Sequence, residues 1–160
     1  ILMSDYDWSR FTVHQYLRVT QDEAFRYWST PEGLESFFIR KAEHVDDRYE
    51  WHWHHDFSAS GRFLRVEPPH SITFTFGSME VCVNVHPTDD GCLVELIQYN
   101  IPCETEQEKA HNHLNCRSCW TYFLTNLKSV AENGIDLREH DPNRSDVVGI
   151  EFVPSEISSD

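Results

Sequence analysis

Basic residues are scarce in this sequence. Lysine and arginine total 13 against 27 aspartates and glutamates in 160 residues, a formal charge of −14 at pH 7. Phosphate contacts need clustered cations, and the nearest approach to a cluster is the dipeptide Arg40-Lys41. The balance therefore excludes a nucleic-acid partner and argues against an anionic membrane surface. Long apolar runs are missing too, so no membrane-spanning helix is expected. The segment from Ile1 to Asp7 lacks the basic flank and apolar core of an export signal. The expectation is a cytoplasmic protein. Glycine is sparse, with 6 residues, which disfavours a phosphate-cradling loop. A dinucleotide fingerprint and a Gly-x-Ser-x-Gly elbow are also absent. The 5 cysteines are an odd number and, without an export signal, read as free thiols in a reducing compartment. No cofactor is expected.

Aromatic residues are what the chain has in excess. They make up 13%, including 5 Trp and 10 Phe, which predicts a bulky core or an aromatic-lined cavity. The length suits one domain able to bury about 70% of its unfolded surface.

Local patterns order the elements. From Phe11 to Val19 apolar residues alternate with polar ones, as in a half-buried strand. Thr20 and Glu23 form a capping box ahead of a helix through Trp28. Pro31 starts a second, short helix, with Leu34, Phe37 and Phe38 on its apolar side. Six strands follow: Ala42 to Val45, Tyr49 to His55, Gly61 to Glu67, Ser71 to Phe76, Met79 to His86, and Cys92 to Tyr99. Short turns such as Asp46-Asp47, Pro68-Pro69 and Gly77-Ser78 predict an antiparallel meander. A second capping box, Thr105 to Glu108, opens a helix that runs to Asn133, with Gly134 as its left-handed stop. His113, Cys116, Trp120, Phe123, Leu124, Leu127 and Val130 share one stripe of it. At 1.5 Å per residue such a helix is about 40 Å long. It is the one element large enough to cover an antiparallel sheet. The division is an N-terminal extension over 1–10, a domain over 11–138 and an acidic tail over 139–160.

Four stretches, in this order, resemble the START-like (SRPBCC) superfamily and its helix-grip fold. They are Ser29 to Leu34, Gly61 to Phe76, Gly91 to Leu96, and Cys119 to Lys128 with Gly134 to Arg138. The resemblance covers Phe11 to Arg138. It is narrower still to the branch named after the activator of the ninety-kilodalton heat-shock-protein ATPase. It implies an α+β domain: a curved antiparallel sheet wrapped around a long C-terminal helix, with two short N-terminal helices. Members include co-chaperones, carriers of small molecules, and cyclases, so the fold leaves function open. This sequence has Cys119 where the family usually has Gly before the helix Trp. It also presents only the START-like unit, whereas the two-domain co-chaperone carries a separate N-terminal domain.

Several clusters carry candidate chemistry. In Trp51-His52-Trp53-His54-His55-Asp56, His52 and His54 share a face and could hold a metal ion. The plainer reading is an aromatic face inward and a solvated histidine face, with no third ligand in view. His111, His113, Cys116 and Cys119 are zinc-ligand types, but four ligands on one straight helix cannot close a tetrahedron. Cys116 with His113 could be a nucleophile and base, or a thiol buried on the sheet beside a core histidine. Gln15 and Gln98 share the apolar parity of their strands. They could satisfy each other or face a ligand.

The reading that results is a non-catalytic domain binding a small hydrophobic or aromatic molecule between sheet and helix. Its lining is expected from Trp28, Phe37, Trp51, Trp53 and Phe74, with Cys116 and Trp120 from the helix. Gln15, Gln98 and His113 would orient the ligand. Two alternatives stand beside it: a chaperone-regulating protein-interaction module, and a cyclase or hydrolase using His113 as base. A homodimer is also open, through apolar tail residues from Ile150 to Val153.

Overall fold

The meander closes as a seven-stranded antiparallel sheet. In the computed structural model, which describes residues 6–53 and 57–144, the strands are β1 Phe11–Leu17, β2 Lys41–Val45, β3 Arg48–His52, β4 Ser58–Glu67, β5 Ser71–Phe76, β6 Met79–Thr88 and β7 Gly91–Tyr99. Their order in the sheet is β1-β7-β6-β5-β4-β3-β2. Every consecutive pair from β2 to β7 is joined by a short connection, and β1 docks on the far edge of β7. Expected boundaries shift by a few residues. β1 stops at Leu17, before Val19, and β4 begins three residues earlier than its sequence pattern suggests. The expected strand end at His54 and His55, and the apolar tail from Ile150 to Val153, lie outside the described residues.

Two helices, α1 Gln21–Ser29 and α2 Pro31–Phe37, follow β1. Threonines cap both, although at Thr20 only the threonine half of the expected capping box is formed. Thr20 Oγ1 accepts from the Glu23 amide at 3.2 Å, and Thr30 Oγ1 from the Gly33 amide at 3.0 Å. A Cβ on Gly33 would lie 2.5 Å from the Arg26 carbonyl oxygen. That position has room for glycine alone where α2 turns back on α1.

The C-terminal helix departs from the expected straight rod. Its first turn, α3 Glu106–Glu108, carries the capping box, and α4 Asn115–Asn133 forms its body. Between them, Lys109–Leu114 winds as a π-helix, with the Asn115 amide reaching back to the Ala110 carbonyl. A π turn inserts an extra residue into the helical repeat. His113 is nonetheless fully buried and His111 exposed, as the expected stripe has them. Gly134, at φ 69°, ends the helix as predicted.

The inward faces of sheet and α4 enclose a ring-rich core. Trp28, Trp51, Phe37, Phe74, Leu96 and Leu124 are among the side chains almost wholly removed from water. Burying such a side chain contributes about 1.5–3 kcal/mol. Among the described residues, no helix is long and apolar enough to cross a membrane.

Candidate functional site

One region of this core is not filled. A cavity of about 220 Å³ lies between the sheet and the first turns of α4. Cys116, Cys119, Trp120 and Phe123 supply the helix side of its wall. Phe38, just past α2, and Phe76, at the end of β5, close two more sides. Trp53 and Phe57 stand at the rim, where the Trp53 amide donates to the Phe57 carbonyl at 2.8 Å. Asn115 is the one amide side chain in the lining. The wall is otherwise apolar, as in a small-molecule site, but the volume of about 220 Å³ falls short of the roughly 300 Å³ expected of a carrier or enzyme cavity.

The structure divides the expected lining residues into three groups. Trp53, Cys116 and Trp120 border the cavity. Trp28, Phe37, Trp51 and Phe74 are buried in the ring cluster next to it. Trp28 lies 6.0 Å from Trp120 between centroids, and Trp51 5.9 Å from Phe38. Gln15, Gln98 and His113 have other partners or other places. Gln15 is half-buried opposite Val94. Gln98 is fully buried but does not meet Gln15, because its strand neighbours are Phe11 and Val81. It accepts from Trp120 Nε1 at 2.7 Å and donates to Met79 Sδ at 3.0 Å. That pairing fixes the indole that forms the cavity wall.

His113 has a structural role instead. Its Nδ1 is 3.0 Å from the Trp8 carbonyl, which can only accept, so Nδ1 carries the proton. Nε2 then accepts from the Tyr6 hydroxyl at 2.8 Å. Trp8, Tyr6 and Phe11 surround the ring edge-to-face at 4.9–5.4 Å. With both nitrogens engaged by the N-terminal segment, His113 does not line the cavity and does not pair with Cys116 as a base. Burial lowers its pKa, so it is neutral in the fold. An unfolded histidine protonates near pH 6.5. Stability from this residue is present above that pH and is lost as pH falls below it. Thermal unfolding of His113→Leu from pH 8 to pH 5 is expected to show a shallower pH slope than the wild type. Equal slopes would rule the arrangement out.

The thiols of Cys116 and Cys119 are pushed up by burial, so they stay protonated at neutral pH and are poor nucleophiles. The zinc-type set also disperses: His111 is exposed, His113 faces the N-terminal segment, and the two cysteines face the cavity. His52 finds carboxylates rather than a second histidine among the described residues. Glu43 and Glu50 place donor oxygens within 4.8 Å of it on the solvent face of the β2–β3 hairpin. The sequence reading missed them because Glu43 arrives from a different strand.

Phe38, Phe57, Phe76, Cys119 and Phe123 were not among the expected lining residues. Phe76 shares the parity of Phe74, and Phe123 shares the helix stripe, so both were within reach of pattern reading. Phe57 carries no periodic signal.

The sequence matches the family described as activator of Hsp90 ATPase homolog 1-like protein over residues 18–132, and the chain belongs to that family. Solved structures share its fold. A Staphylococcus saprophyticus protein, SSP2350, is 18% identical, with a TM-score of 0.71 over 81% of this chain and 96% of that one. The Aha1 dimer of Colwellia psychrerythraea is 15% identical, with a TM-score of 0.66 over 78% and 97%. An AHSA1-like protein of Aeromonas hydrophila is 19% identical, with a TM-score of 0.65 over 82% and 99%. At such identities the likeness is one of fold. No curated protein matches the sequence.

Proposed function

We propose that this domain binds a small apolar or aromatic molecule in the cavity between the sheet and α4. The observation behind this reading is the cavity itself, about 220 Å³ of ring-lined space in a core otherwise packed with aromatics. An apolar cavity of about 150 Å³ stays dry and takes up benzene, so this one has room for a single ring with a short substituent. Indole is a suitable neutral probe. The expected result of an NMR titration is a saturable shift of the Trp53 and Trp120 indole N–H resonances. Cys119→Leu should fill the space, remove that shift and leave the melting temperature at or above the wild-type value. A wild type that shows no saturable shift up to the solubility limit of indole sinks the proposal.

A second reading is favoured by family membership and by one surface. Val45, Leu64 and Val66 are 70%, 49% and 48% exposed. Asp46, Asp47 and Arg65 share a groove with Leu64 and Val66. An exposed apolar patch with a charged edge suits a protein partner. The family is described by activation of the Hsp90 ATPase. Under this reading the protein stimulates that ATPase in a salt-sensitive way, and Leu64→Asp removes the stimulation. An unchanged ATPase rate would discard it. Since the Colwellia relative is a dimer, self-association belongs with this reading and is read by sedimentation velocity.

A further inference from the structure

The cavity has a cationic rim. A shallow groove borders it, sharing Trp53 and Phe57 with the cavity wall and continuing along Arg40, Lys41, His52 and Ser58. In a chain of charge −14 this groove holds the single Arg-Lys dipeptide. Backbone pairing sets its position. The Arg40 amide donates to the His52 carbonyl at 2.9 Å, and Lys41 stands opposite His52 in the β2–β3 register. Several other cations sit on carboxylates: Arg62 on Asp47, Arg65 on Glu67, Lys128 on Glu132. Among the described residues, Arg40 and Lys41 form no ion pair, and both side chains are exposed. His52 is drawn instead toward Glu50, at 3.7 Å, with Glu43 beside it.

We infer that the ligand is an aromatic monocarboxylate, with its ring in the cavity and its carboxylate on Arg40, supported by Lys41. The inference rests on the binding reading above and adds the chemistry of the head group. A guanidinium fork matches a carboxylate edge to edge. Phe57, 59% exposed and 5.1 Å from Trp53 between ring centroids, lies between groove and cavity and can cover the short chain joining ring to head. The cavity volume admits one ring rather than a long acyl chain. The acidity of the molecule, with Glu43 and Glu50 close to the groove, favours one negative charge over the two of a phosphate ester.

The test is an NMR titration of the whole protein with 3-phenylpropionate and with its uncharged amide, repeated on Arg40→Gln/Lys41→Gln. Both side chains are exposed, so the variant keeps the fold. The acid is expected to bind the wild type up to about fivefold more tightly than the amide, as one exposed charge pair allows. That preference should shrink in 0.5 M salt and vanish in the double variant, while amide affinity stays unchanged. Equal affinities in the wild type, or a preference that survives in the variant, would overturn the inference and leave the cavity reading standing. If neither compound gives a saturable shift, the binding reading fails and takes this inference with it.

Discussion

Arg138→Ala is expected to cost about 2–3 kcal/mol, because it removes one partner of a part-buried ion pair and leaves the acceptors around it unpaired. The Arg138 side chain is 8% exposed and that of Asp136 is 25% exposed. Its Nε and terminal nitrogens donate to both Asp136 oxygens at 2.9–3.2 Å. The same guanidinium donates to the Glu35 carbonyl at 2.8 Å and the Ile39 carbonyl at 3.1 Å. Asn126, fully buried on α4, donates to Asp136 and to the Phe37 carbonyl, and accepts from the Leu137 amide. This network ties the chain after α4 to the end of α2. Arg138→Lys keeps the charge but not the fork, so an intermediate loss is expected. Thermal unfolding of the three proteins reads the order, and Arg138→Ala melting with the wild type would refute it.

The same network sets an acid limit. Burial works to raise the Asp136 pKa, but the hydrogen bonds from Arg138 and Asn126 outweigh it and hold the group at about 2, against an ordinary 3.8. A carboxylate depressed in the fold contributes stability above its unfolded pKa. That contribution is lost as pH falls from about 4 toward 2. Urea midpoints across that window should fall for the wild type, and fall less for Asp136→Asn, which starts lower. A parallel decline would assign the acid sensitivity to other carboxylates.

Gly91→Ala is the second large effect. Gly91 opens β7, where β1 ends alongside. A Cβ there would overlap the Leu17 carbonyl oxygen and crowd the Arg18 Cα. Both are backbone atoms, so neither can rotate away, and relief requires the strands to separate. The expected cost is about 3 kcal/mol. It should be accompanied by faster hydrogen exchange of the β1 amides, while β4 and β5 stay protected. Gly77→Ala is the contrast. Its φ is +61° and nothing lies within 4 Å of the added methyl, so only about 1 kcal/mol of backbone strain is expected. If the two variants are equally stable, the close approach at Gly91 does not exist in solution.

The fold was largely legible because its signals are local. Thr20, Thr30 and Thr105 each cap the helix that follows, as their positions require. Alternation along β7 is complete: Cys92, Val94, Leu96 and Gln98 are buried, and the residues between them are not. The π turn was not legible, since Lys109–Leu114 has the composition of ordinary helix. Within that turn His113 packs against Tyr6 and Trp8, which lie more than 100 positions away.

The cavity lining was legible only in part. Trp53, Cys116 and Trp120 face the space because strand parity and helix stripe aim them there. Phe37 and Phe38 show the limit of such reasoning. They are adjacent and both buried, yet only Phe38 lines the cavity. Gln98 shows it again: its parity identified a buried amide, while its partner came from the helix.

What the sequence determined by itself was the set of elements, their order, the antiparallel meander and the helix that covers it. These follow from periodicity, capping and short connections, which act over a few residues. The tertiary structure alone decided where the core leaves a void, which buried polar groups meet, and where Arg40 and Lys41 stand relative to Trp53. Each of those is a small difference between large packing contributions from elements far apart in the chain, and no local pattern carries it.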